Sequence, residues 1–287
     1  MLKDDVTVGE YHYFRIYDPK ERLICAASFR ERVLHHAVMN VCDTCFEQPL
    51  ITDAYACRKG MGVHSCIERA KVYTRRYKWY LKLDVRKYFD SVDHNHLKEL
   101  LCRLFKDARL MLLFERIIES YETSPGKGIP IGNLTSQYFA NYYLSGLDHL
   151  VKEEMGIPGY VRYMDDVVLW SNSKENLRDA NRKIVQFCAD FRKLSLKPPC
   201  LNGCDRGISM LGYRVFPDKV QLTRRSRRRF ISKLRLQYEL LENEEIGQDE
   251  FAGRTLSLCA YTEHADSRGF RNGVIKEFGD NPRARTA

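Results

Sequence analysis

Three aspartates lie where short β-rich segments end, positions at which a carboxylate does little for folding. Asp84 closes an alternating apolar stretch, and Asp165 and Asp166 separate the apolar runs 161–164 and 167–170. An Asp-Asp pair alone is also a common turn dipeptide. The third, strand-borne acid favours a metal site, because Mg²⁺ prefers carboxylate and phosphate oxygens and two such ions clamp both oxygens of a phosphoryl displacement. The pattern predicts a two-ion Mg²⁺ site, with Mn²⁺ as a substitute, for phosphoryl transfer.

The elements that position these acids alternate between strand and helix. Segment 79–85 alternates as a strand, and 161–170 predicts a hairpin with Asp165-Asp166 as its turn. Helical spacing marks three segments: 28–46, a helix capped by Asn133 or Thr135 that runs to about Glu154, and the end of a helix over 187–196. Because helices and strands interleave, the fold class is α+β or α/β.

The composition favours a folded protein with a polyanionic partner. The 287 residues include 47 Lys and Arg against 38 Asp and Glu, for a formal net charge of +9. With 44% hydrophobic and 11% aromatic residues, the chain is not of the disordered class, and its length allows two or three packed units. Segment 219–238 carries eight basic residues and no acid, which predicts a domain boundary near Pro217.

The ten cysteines are interpreted as reduced thiols. The chain begins without an apolar signal-peptide core, and no uncharged apolar run approaches the ~18 residues of a membrane span, so we expect a soluble, cytoplasmic protein with no membrane partner. Cys42 and Cys45 with His35 and His36 could suggest zinc. Both cysteines fall within a predicted helix and no second Cys-x-x-Cys exists, so ordinary thiols are the better interpretation.

Seven segments between about residues 12 and 217 form an ordered series of motifs: 20–24, 28–32, 55–60, 82–92, 128–137, 160–166 and 211–213. In that order they resemble three fingers segments, motif A, motif B, motif C and the primer grip of reverse transcriptases. The resemblance implies an α+β right-hand polymerase fold. Its expected parts are fingers over 1–80, a palm over 81–217 whose antiparallel sheet carries the acids and which contains an inserted fingers segment, and a small basic helical thumb over 218–287.

Motif B indicates which kind of reverse transcriptase the chain resembles. Most reverse transcriptases have Gln-Gly followed three residues later by Ser-Pro, whereas this chain has Ile131-Gly132 and then Ser136-Gln137. The pattern is similar to that of diversity-generating retroelements, which implies error-prone copying of a template RNA into cDNA with mutations concentrated at template adenines. The implied partners are template RNA, the cDNA or primer, dNTPs and a small, basic, oligomeric accessory variability protein.

Other functions stay open beside this one. An antiphage or other prokaryotic reverse transcriptase is the alternative within the family. A group II intron protein is expected to add maturase and often nuclease domains, for which the roughly 70 residues after Pro217 leave no room, and the valine-threonine-glycine thumb tripeptide of retron enzymes is absent. The alternative of another class is a palm-fold RNA-binding or maturase-like protein that no longer polymerises.

The resemblance also assigns roles to the acids and their neighbours. Asp84 and Asp165 are expected to bridge both Mg²⁺ ions, assisted by the backbone carbonyl of Val85 and the side chain of Asp166. Phe89 is expected to be an aromatic gate under the incoming sugar, with an ordinary core phenylalanine as the alternative.

Further residues are assigned to the two substrates. Those expected at the incoming nucleotide suit its triphosphate, sugar or base, and are Arg22 and Arg30 with the neighbouring Lys20, Ile131, Gly132, and Lys197 as proton donor to pyrophosphate. Those expected at template and primer lie in motifs B and C, the primer grip and the arginine run 224–229, which we call the basic block: Ser136, Gln137, Tyr163, Met164, Leu211, Gly212, Tyr213, Arg224, Arg225, Arg227, Arg228 and Arg229.

Overall fold

A computed structural model describes residues 7–17 and 21–280, and Lys20 lies outside these ranges. The α-helices of the described chain are α1 Phe29–Glu47, α2 Val63–Arg76, α3 Tyr88–Ser91, α4 His94–Leu104, α5 Ala108–Glu119, α6 Leu134–Tyr143, α7 Ser145–His149, α8 Lys174–Arg192, α9 Arg224–Glu242, α10 Gln248–Glu263 and α11 Arg268–Asp280. The strands are β1 Tyr11–Ile16, β2 Arg22–Ala27, β3 Trp79–Asp84, β4 Gly159–Tyr163, β5 Asp166–Ser171, β6 Cys200–Gly203, β7 Ile208–Met210, β8 Tyr213–Val215 and β9 Val220–Leu222. The predicted mixture of helix and sheet is confirmed.

The chain divides into two compact units, each assembled from two stretches. Unit 1 contains Met1–Gly62 and Leu81–Leu201, and unit 2 contains Val63–Tyr80 and Asn202–Ala287. Pro217 lies between β8 and β9, which pair with each other, so the chain folds continuously across the predicted boundary there. The division into fingers, palm and thumb stays a prediction.

The central sheet has the strand order β4-β5-β3-β6, with β4 and β5 antiparallel. The residues of β5 from Val167 to Trp170 are all buried, which explains their unbroken apolar run: a strand covered on both faces has no solvent side on which to place polar residues. α8 contacts β5, and α6 contacts α1 and α4. Separately, β1 and β2 form an antiparallel ribbon.

An aromatic cluster holds the helices of unit 1 together. The ring of Phe46 on α1 lies 5.1–6.4 Å, between centroids, from the rings of Phe105, Phe114, Phe139 and Tyr142. Buried rings at these separations gain edge and offset contacts beyond the area that they remove from water. The cluster fixes α6, the helix that carries residues 134–137 at the end of motif B.

The described part of unit 2 combines a small sheet with four helices. β7, β8 and β9 form an antiparallel sheet, and α2 packs against β8. α9, α10 and α11 pack around a separate apolar cluster of Phe230, Leu234, Val274 and Phe278. None of the helices within the described ranges is long and apolar enough to cross a membrane.

Two predicted helices differ from the structure. The helix expected to run to Glu154 is broken into α6, α7 and a π-helical segment, Leu150–Glu154. At the first break the Ser145 hydroxyl donates to the Tyr142 carbonyl at 2.8 Å, a local bond that competes with the regular helix ladder. α8 ends at Arg192, before the predicted end at Leu196, and Lys193 follows it with a left-handed φ of 53°.

Candidate active site

The hairpin of β4 and β5 carries two of the three acids at its tip. Tyr163 pairs with Asp166, so the turn consists of Met164 and Asp165, and Asp166 is the first residue of β5. The prediction that Asp165-Asp166 forms the turn is wrong by one residue, because a positive φ at the first turn position lets a two-residue turn match the twist of its strands. Met164 has a φ of 53°, a conformation that costs a non-glycine residue about 1–2 kcal/mol.

Lysines pair with two of the three acids. The ammonium of Lys82 lies 2.9 Å from Asp166 Oδ1, and that of Lys197 lies 2.5 Å from Asp84 Oδ1. Lys82 precedes Asp84 by two residues, so both side chains project from the same face of β3. All four side chains keep part of their surface in solvent, and ion pairs of this kind contribute little stability. Their main effect is to orient the carboxylates.

Asp165 lies in an unfavourable electrostatic environment. Burial raises the pKa of its carboxyl to about 6, and the negative charges of Asp84 and Asp166 add to the shift. The Asp165 backbone N–H and the Lys197 ammonium act in the opposite direction without cancelling it. A buried carboxyl group with two further acids beside it makes a site where added positive charge is favourable. We call Asp84, Asp165 and Asp166 the acidic cluster.

The segment after α8 brings Lys197 to the acidic cluster through backbone pairing. The N–H of Lys197 donates to the Asp84 carbonyl at 2.9 Å, and the N–H of Arg86 donates to the Ser195 carbonyl at 2.8 Å. This pairing is possible because α8 ends at Arg192 and the following residues are extended. Sequence reasoning selected Lys197 but expected it directly after a longer helix.

The donor atoms of the acidic cluster suit Mg²⁺, although their side chains do not form a closed ligand set. In the described part of the chain, no three His, Cys, Asp or Glu side chains converge in a metal-binding group. Oxygen donors from carboxylates and a backbone carbonyl are nonetheless the ligands that Mg²⁺ and Mn²⁺ prefer. The residues therefore fit such an ion in type, with Asp84, Asp165, Asp166 and the carbonyl of Val85 as the groups that would hold it. All ten cysteines lie within the described residues, and none of them forms a disulfide.

A buried ion pair lies behind the acidic turn, and sequence reasoning missed it. Arg162, in the middle of β4, donates through Nε and Nη2 to the two carboxylate oxygens of Asp148 on α7, at 2.6 and 2.7 Å. Both side chains are fully buried. Burial alone lowers the pKa of Arg162, but Asp148 more than offsets it and the net shift is upward, so the guanidinium stays charged. A visible signal was present, because an arginine interrupts an otherwise apolar strand.

Motifs A and B are joined through their backbones. The Ile129 N–H donates to the Phe89 carbonyl at 2.9 Å, and the Ile131 carbonyl accepts a bond from the Cys25 N–H of β2 at 2.8 Å. Gly132 has a φ of 131°, and a Cβ at this position would lie 2.8 Å from the Cys25 carbonyl oxygen. Only glycine allows this close approach of β2. The half-buried Phe89 and Ile131 are thus held on connected segments.

The predicted nucleotide-binding arginines lie on exposed positions of two adjoining elements. Arg22 begins β2, and Arg30 lies in the first turn of α1. In motif B, Ser136 is buried in α6, whereas Gln137 is half-buried and its side-chain oxygen accepts a bond from the Cys57 thiol at 3.1 Å. Ser136 is thus placed for packing rather than for surface contact.

The predicted primer grip is a tight turn between β7 and β8 within unit 2. Leu211 and Gly212 form it with φ values of 49° and 87°. Tyr213 is fully buried, and its hydroxyl donates to the Tyr261 carbonyl at 2.7 Å. The Ser226 hydroxyl donates to the Gly212 carbonyl at 2.7 Å, so the turn is tied to the first turn of α9. The exposed parts of this motif are therefore in the turn and not in the Tyr213 side chain.

The basic block forms the N-terminal half of α9. Arg224, Arg225, Arg228 and Arg229 are exposed, whereas Arg227 is half-buried with its guanidinium 5.3 Å from the centre of the Phe270 ring. Arginines in a first helical turn oppose the helix dipole, which favours negative charge there. An arrangement that is unfavourable for the helix itself is consistent with binding to a polyanion.

The fold matches solved telomerases. Apo telomerase from Candida tropicalis aligns with a TM-score of 0.57 at 11% identity, covering 78% of this chain and 50% of that chain. Telomerase from Candida albicans with a TWJ fragment of telomeric RNA gives 0.53 at 13% identity, covering 88% and 56%. At these identities the likeness concerns the fold alone. The mixed helix and sheet fold of this chain is thus similar to that of the two telomerases.

The family follows from the sequence match. Residues 17–215 match the family model described as reverse transcriptase (RNA-dependent DNA polymerase), and the chain belongs to this family. Similar curated proteins include YkfC of Escherichia coli, 27% identical over 191 residues, 60% of this chain and 49% of that protein. The group II intron-encoded protein LtrA of Lactococcus lactis is 21% identical over 282 residues, 91% of this chain and 46% of that protein. The chain thus spans about half the length of these relatives.

Proposed function

We propose that the protein is an RNA-directed DNA polymerase that works by two-metal phosphoryl transfer. The observation that carries the proposal is the acidic cluster of β3 and the β4–β5 hairpin, in which burial, together with the charges of Asp84 and Asp166, raises the pKa of Asp165 to about 6. Mg²⁺ bound there would neutralise charge at the transferring phosphorus and orient the attacking and leaving oxygens. Family membership over residues 17–215 supports the same reaction.

The surrounding residues are proposed to position the nucleotide and to move one proton. Lys197 would give up its proton to the leaving pyrophosphate, and its ammonium already lies against Asp84. Phe89 would fill the space of a 2′-hydroxyl. Arg22 and Arg30, both exposed, would bind triphosphate oxygens through their planar guanidinium groups.

The template and primer are proposed to bind through both polar and charged groups. Within unit 1, Gln137, Tyr163 and Met164 would contact the strands at the site of addition. In unit 2 the Leu211-Gly212 turn and the exposed arginines of α9 would contact backbone phosphates. Such contacts carry no base-sequence information, so the template would be chosen by other means.

A finer proposal concerns the type of reverse transcriptase. Ile131-Gly132 followed by Ser136-Gln137 supports a diversity-generating retroelement enzyme, which would make adenine-mutagenic cDNA and work with a small, basic accessory variability protein in the cytoplasm. Ile131 offers no hydrogen-bond donor beside the incoming nucleotide, in contrast with the glutamine of most relatives. An antiphage reverse transcriptase is the alternative within the family.

A second candidate is a maturase-like RNA-binding protein. The observation that favours it is the match to LtrA over 91% of this chain and a match to the nuclear intron maturase 1 of Arabidopsis thaliana at 24% identity. Intron-encoded proteins, which sequence reasoning disfavoured, are thus among the relatives. On this hypothesis the protein would bind intron RNA and promote its splicing.

Primer extension on an RNA template separates these functions. We expect purified protein with Mg²⁺ and dNTPs to extend a DNA primer, and sequencing of the cDNA to show mismatches concentrated at template adenines. Extension with errors spread over all four bases would support the antiphage alternative. RNA binding without extension under Mg²⁺ or Mn²⁺ would favour the maturase-like candidate.

A further inference from the structure

The guanidinium of Arg162 makes more hydrogen bonds than charge pairing with Asp148 requires. Nε and Nη2 are taken by the two Asp148 oxygens, at 2.6 and 2.7 Å. Nη2 also donates to the Asn141 backbone carbonyl at 3.1 Å. Nη1 donates to Asn141 Oδ1 at 2.8 Å and to the Met164 carbonyl at 3.2 Å. The side chain therefore connects α6 and α7 to the turn that carries Asp165.

The backbone of Arg162 is fixed as firmly as its side chain. Its N–H donates to the Asp53 carbonyl and its carbonyl accepts from the Tyr55 N–H, both at 2.9 Å. The residue also pairs with Val167 of the antiparallel strand β5. Because Arg162 is held at both ends, it can act as a rigid support for the Met164 carbonyl.

A single peptide group connects the Arg162 guanidinium to the acidic cluster. The Met164 carbonyl and the Asp165 N–H belong to the same planar peptide, so fixing one fixes the other. Met164 holds a φ of 53°, which other conformations of the turn would relieve. A bond to the carbonyl selects one orientation of this peptide, and with it the position from which the Asp165 side chain projects.

We propose that Arg162, held by Asp148 and Asn141, is a positioning residue for the reaction: it fixes the Met164–Asp165 peptide and thereby orients the acidic cluster. This inference rests on the proposed polymerase function. Stability alone does not explain the arrangement, because a buried ion pair is often no more stabilising than apolar side chains of similar volume. The contribution of Arg162 is therefore to the geometry of the turn.

The central experiment replaces both charges together. The double variant Arg162→Met with Asp148→Leu removes the ion pair without leaving a lone buried charge, so it retains the fold better than either single change. We expect kcat for single-nucleotide addition, per active molecule counted by burst titration, to fall by about tenfold to a hundredfold, as for the loss of a charged hydrogen bond. The Kd for template–primer is expected to stay unchanged.

Two controls separate positioning from folding. Tyr160→Phe removes the hydroxyl that donates to Asp148 Oδ1 at 2.6 Å but leaves every hydrogen bond of Arg162 in place, and its kcat per active molecule is expected to match that of the wild type. Arg178→Met with Glu175→Leu removes an exposed ion pair on α8 and is expected to change nothing. If the central double variant lowers only the melting temperature and leaves kcat per active molecule unchanged, Arg162 is structural and the proposal is overturned.

Asn141 provides a test if the double variant does not fold. Asn141→Ala leaves the Arg162–Asp148 pair intact but removes one of the two acceptors of Nη1, and we expect a severalfold lower kcat. Asn141→Asp restores an acceptor oxygen and is expected to recover part of the rate. Equal rates for Ala, Asp and wild type would contradict the proposal.

A binding measurement distinguishes failure of this inference from failure of the proposed function. Mn²⁺ titration by calorimetry needs no substrate, and we expect the double variant to bind Mn²⁺ about tenfold more weakly than the wild type or Tyr160→Phe. If the wild type binds Mn²⁺ in this way but extends no primer, the polymerase function fails and the positioning role stands. If Mn²⁺ binding is the same in all variants, the positioning role fails.

Discussion

The acidic cluster and helix α9 use charge in opposite ways. In the cluster, which comes from two segments of unit 1, burial and the charges of Asp84 and Asp166 raise the pKa of Asp165 to about 6. In α9, within unit 2, arginines are spread along an exposed helical surface. Crowded charges make a site in which each residue is indispensable and geometry decides the outcome. Spread charges make a surface in which effects are small, additive and sensitive to salt.

The largest expected effect is the loss of one acid from the cluster. Asp165→Ala or Asp84→Ala is expected to reduce primer extension to less than a few per cent of wild type, because charge neutralisation at the transferring phosphorus is lost. The fold and RNA binding should persist, because a partly exposed acid contributes little to stability. Circular dichroism and filter binding check the latter. Extension above a few per cent would show that the residue is not a metal ligand.

The acidic cluster could be predicted from the sequence because each acid is recognisable from its own segment. The residues that hold the cluster in place could not be predicted in this way. Each acid lies at or next to the end of a recognisable strand. Residue type and position along the chain were therefore sufficient to select Asp84, Asp165 and Asp166. The Arg162–Asp148 pair joins a strand to a helix through tertiary packing, and no local sequence pattern predicts that Asp148 is the partner of Arg162. Lys197 shows the same limit, because helical periodicity predicted a longer α8 and strand pairing beyond Arg192 overrode it.

The next prediction concerns Phe89, which is proposed to lie under the sugar of the incoming nucleotide next to the acidic cluster. Phe89→Ala is expected to raise ribonucleotide incorporation relative to deoxyribonucleotide by roughly tenfold to a hundredfold, because removal of the ring opens the space for a 2′-hydroxyl. The ratio of kcat/KM for rNTP and dNTP measures the effect. Phe114→Ala, at a core aromatic of the helical cluster, is the control and should lower stability without changing the ratio. An unchanged ratio in Phe89→Ala would identify it as a core residue.

Crowding in the cluster also predicts a pH dependence of stability. The pKa of Asp165 is about 6 in the folded protein and about 3.9 when unfolded, so the charged form is disfavoured by folding. In EDTA, Asp165→Asn should therefore be more stable than wild type at pH 7.5, by about 1–2 kcal/mol after allowance for partial exposure. The advantage should vanish as the pH falls from 6 to about 4, where Asp165 protonates in both states.

Urea unfolding at several pH values measures this difference directly. Asp218→Asn, at an exposed acid of the β8–β9 turn, is the matched control and should follow the wild type throughout. A difference between Asp165→Asn and wild type that is the same at pH 4 and pH 7.5 would show that crowding of charge is not its origin.

Substitutions of arginines in α9 are expected to weaken template–primer binding in small, graded steps, in contrast with the loss of activity expected for the acidic cluster. Replacing Arg224, Arg225 and Arg228 by Gln is expected to reduce the log–log salt slope of template–primer binding by roughly 2 to 3, since each phosphate contact contributes about 0.7 to 0.9. Arg227→Gln is the control, because its guanidinium lies over the Phe270 ring. It should lower the melting temperature more than it changes the slope. An unchanged slope in the triple variant would mean that this surface does not bind nucleic acid.

The smallest expected effect concerns fidelity and depends on Ile131. Its backbone carbonyl is fixed by Cys25 of β2, so a change of side chain leaves the turn in place. A glutamine could add one hydrogen bond near the incoming nucleotide, worth about 0.5–1.5 kcal/mol, which changes discrimination by about tenfold at most. Ile131→Gln should therefore lower misincorporation at template adenines by a modest factor while extension continues. Sequencing of the cDNA measures it, with Ile131→Val as the control that adds no hydrogen bond. If the error rate opposite each of the four template bases is the same in all three proteins, Ile131 only fills the turn. Errors at template adenines would then arise from the geometry of the site as a whole.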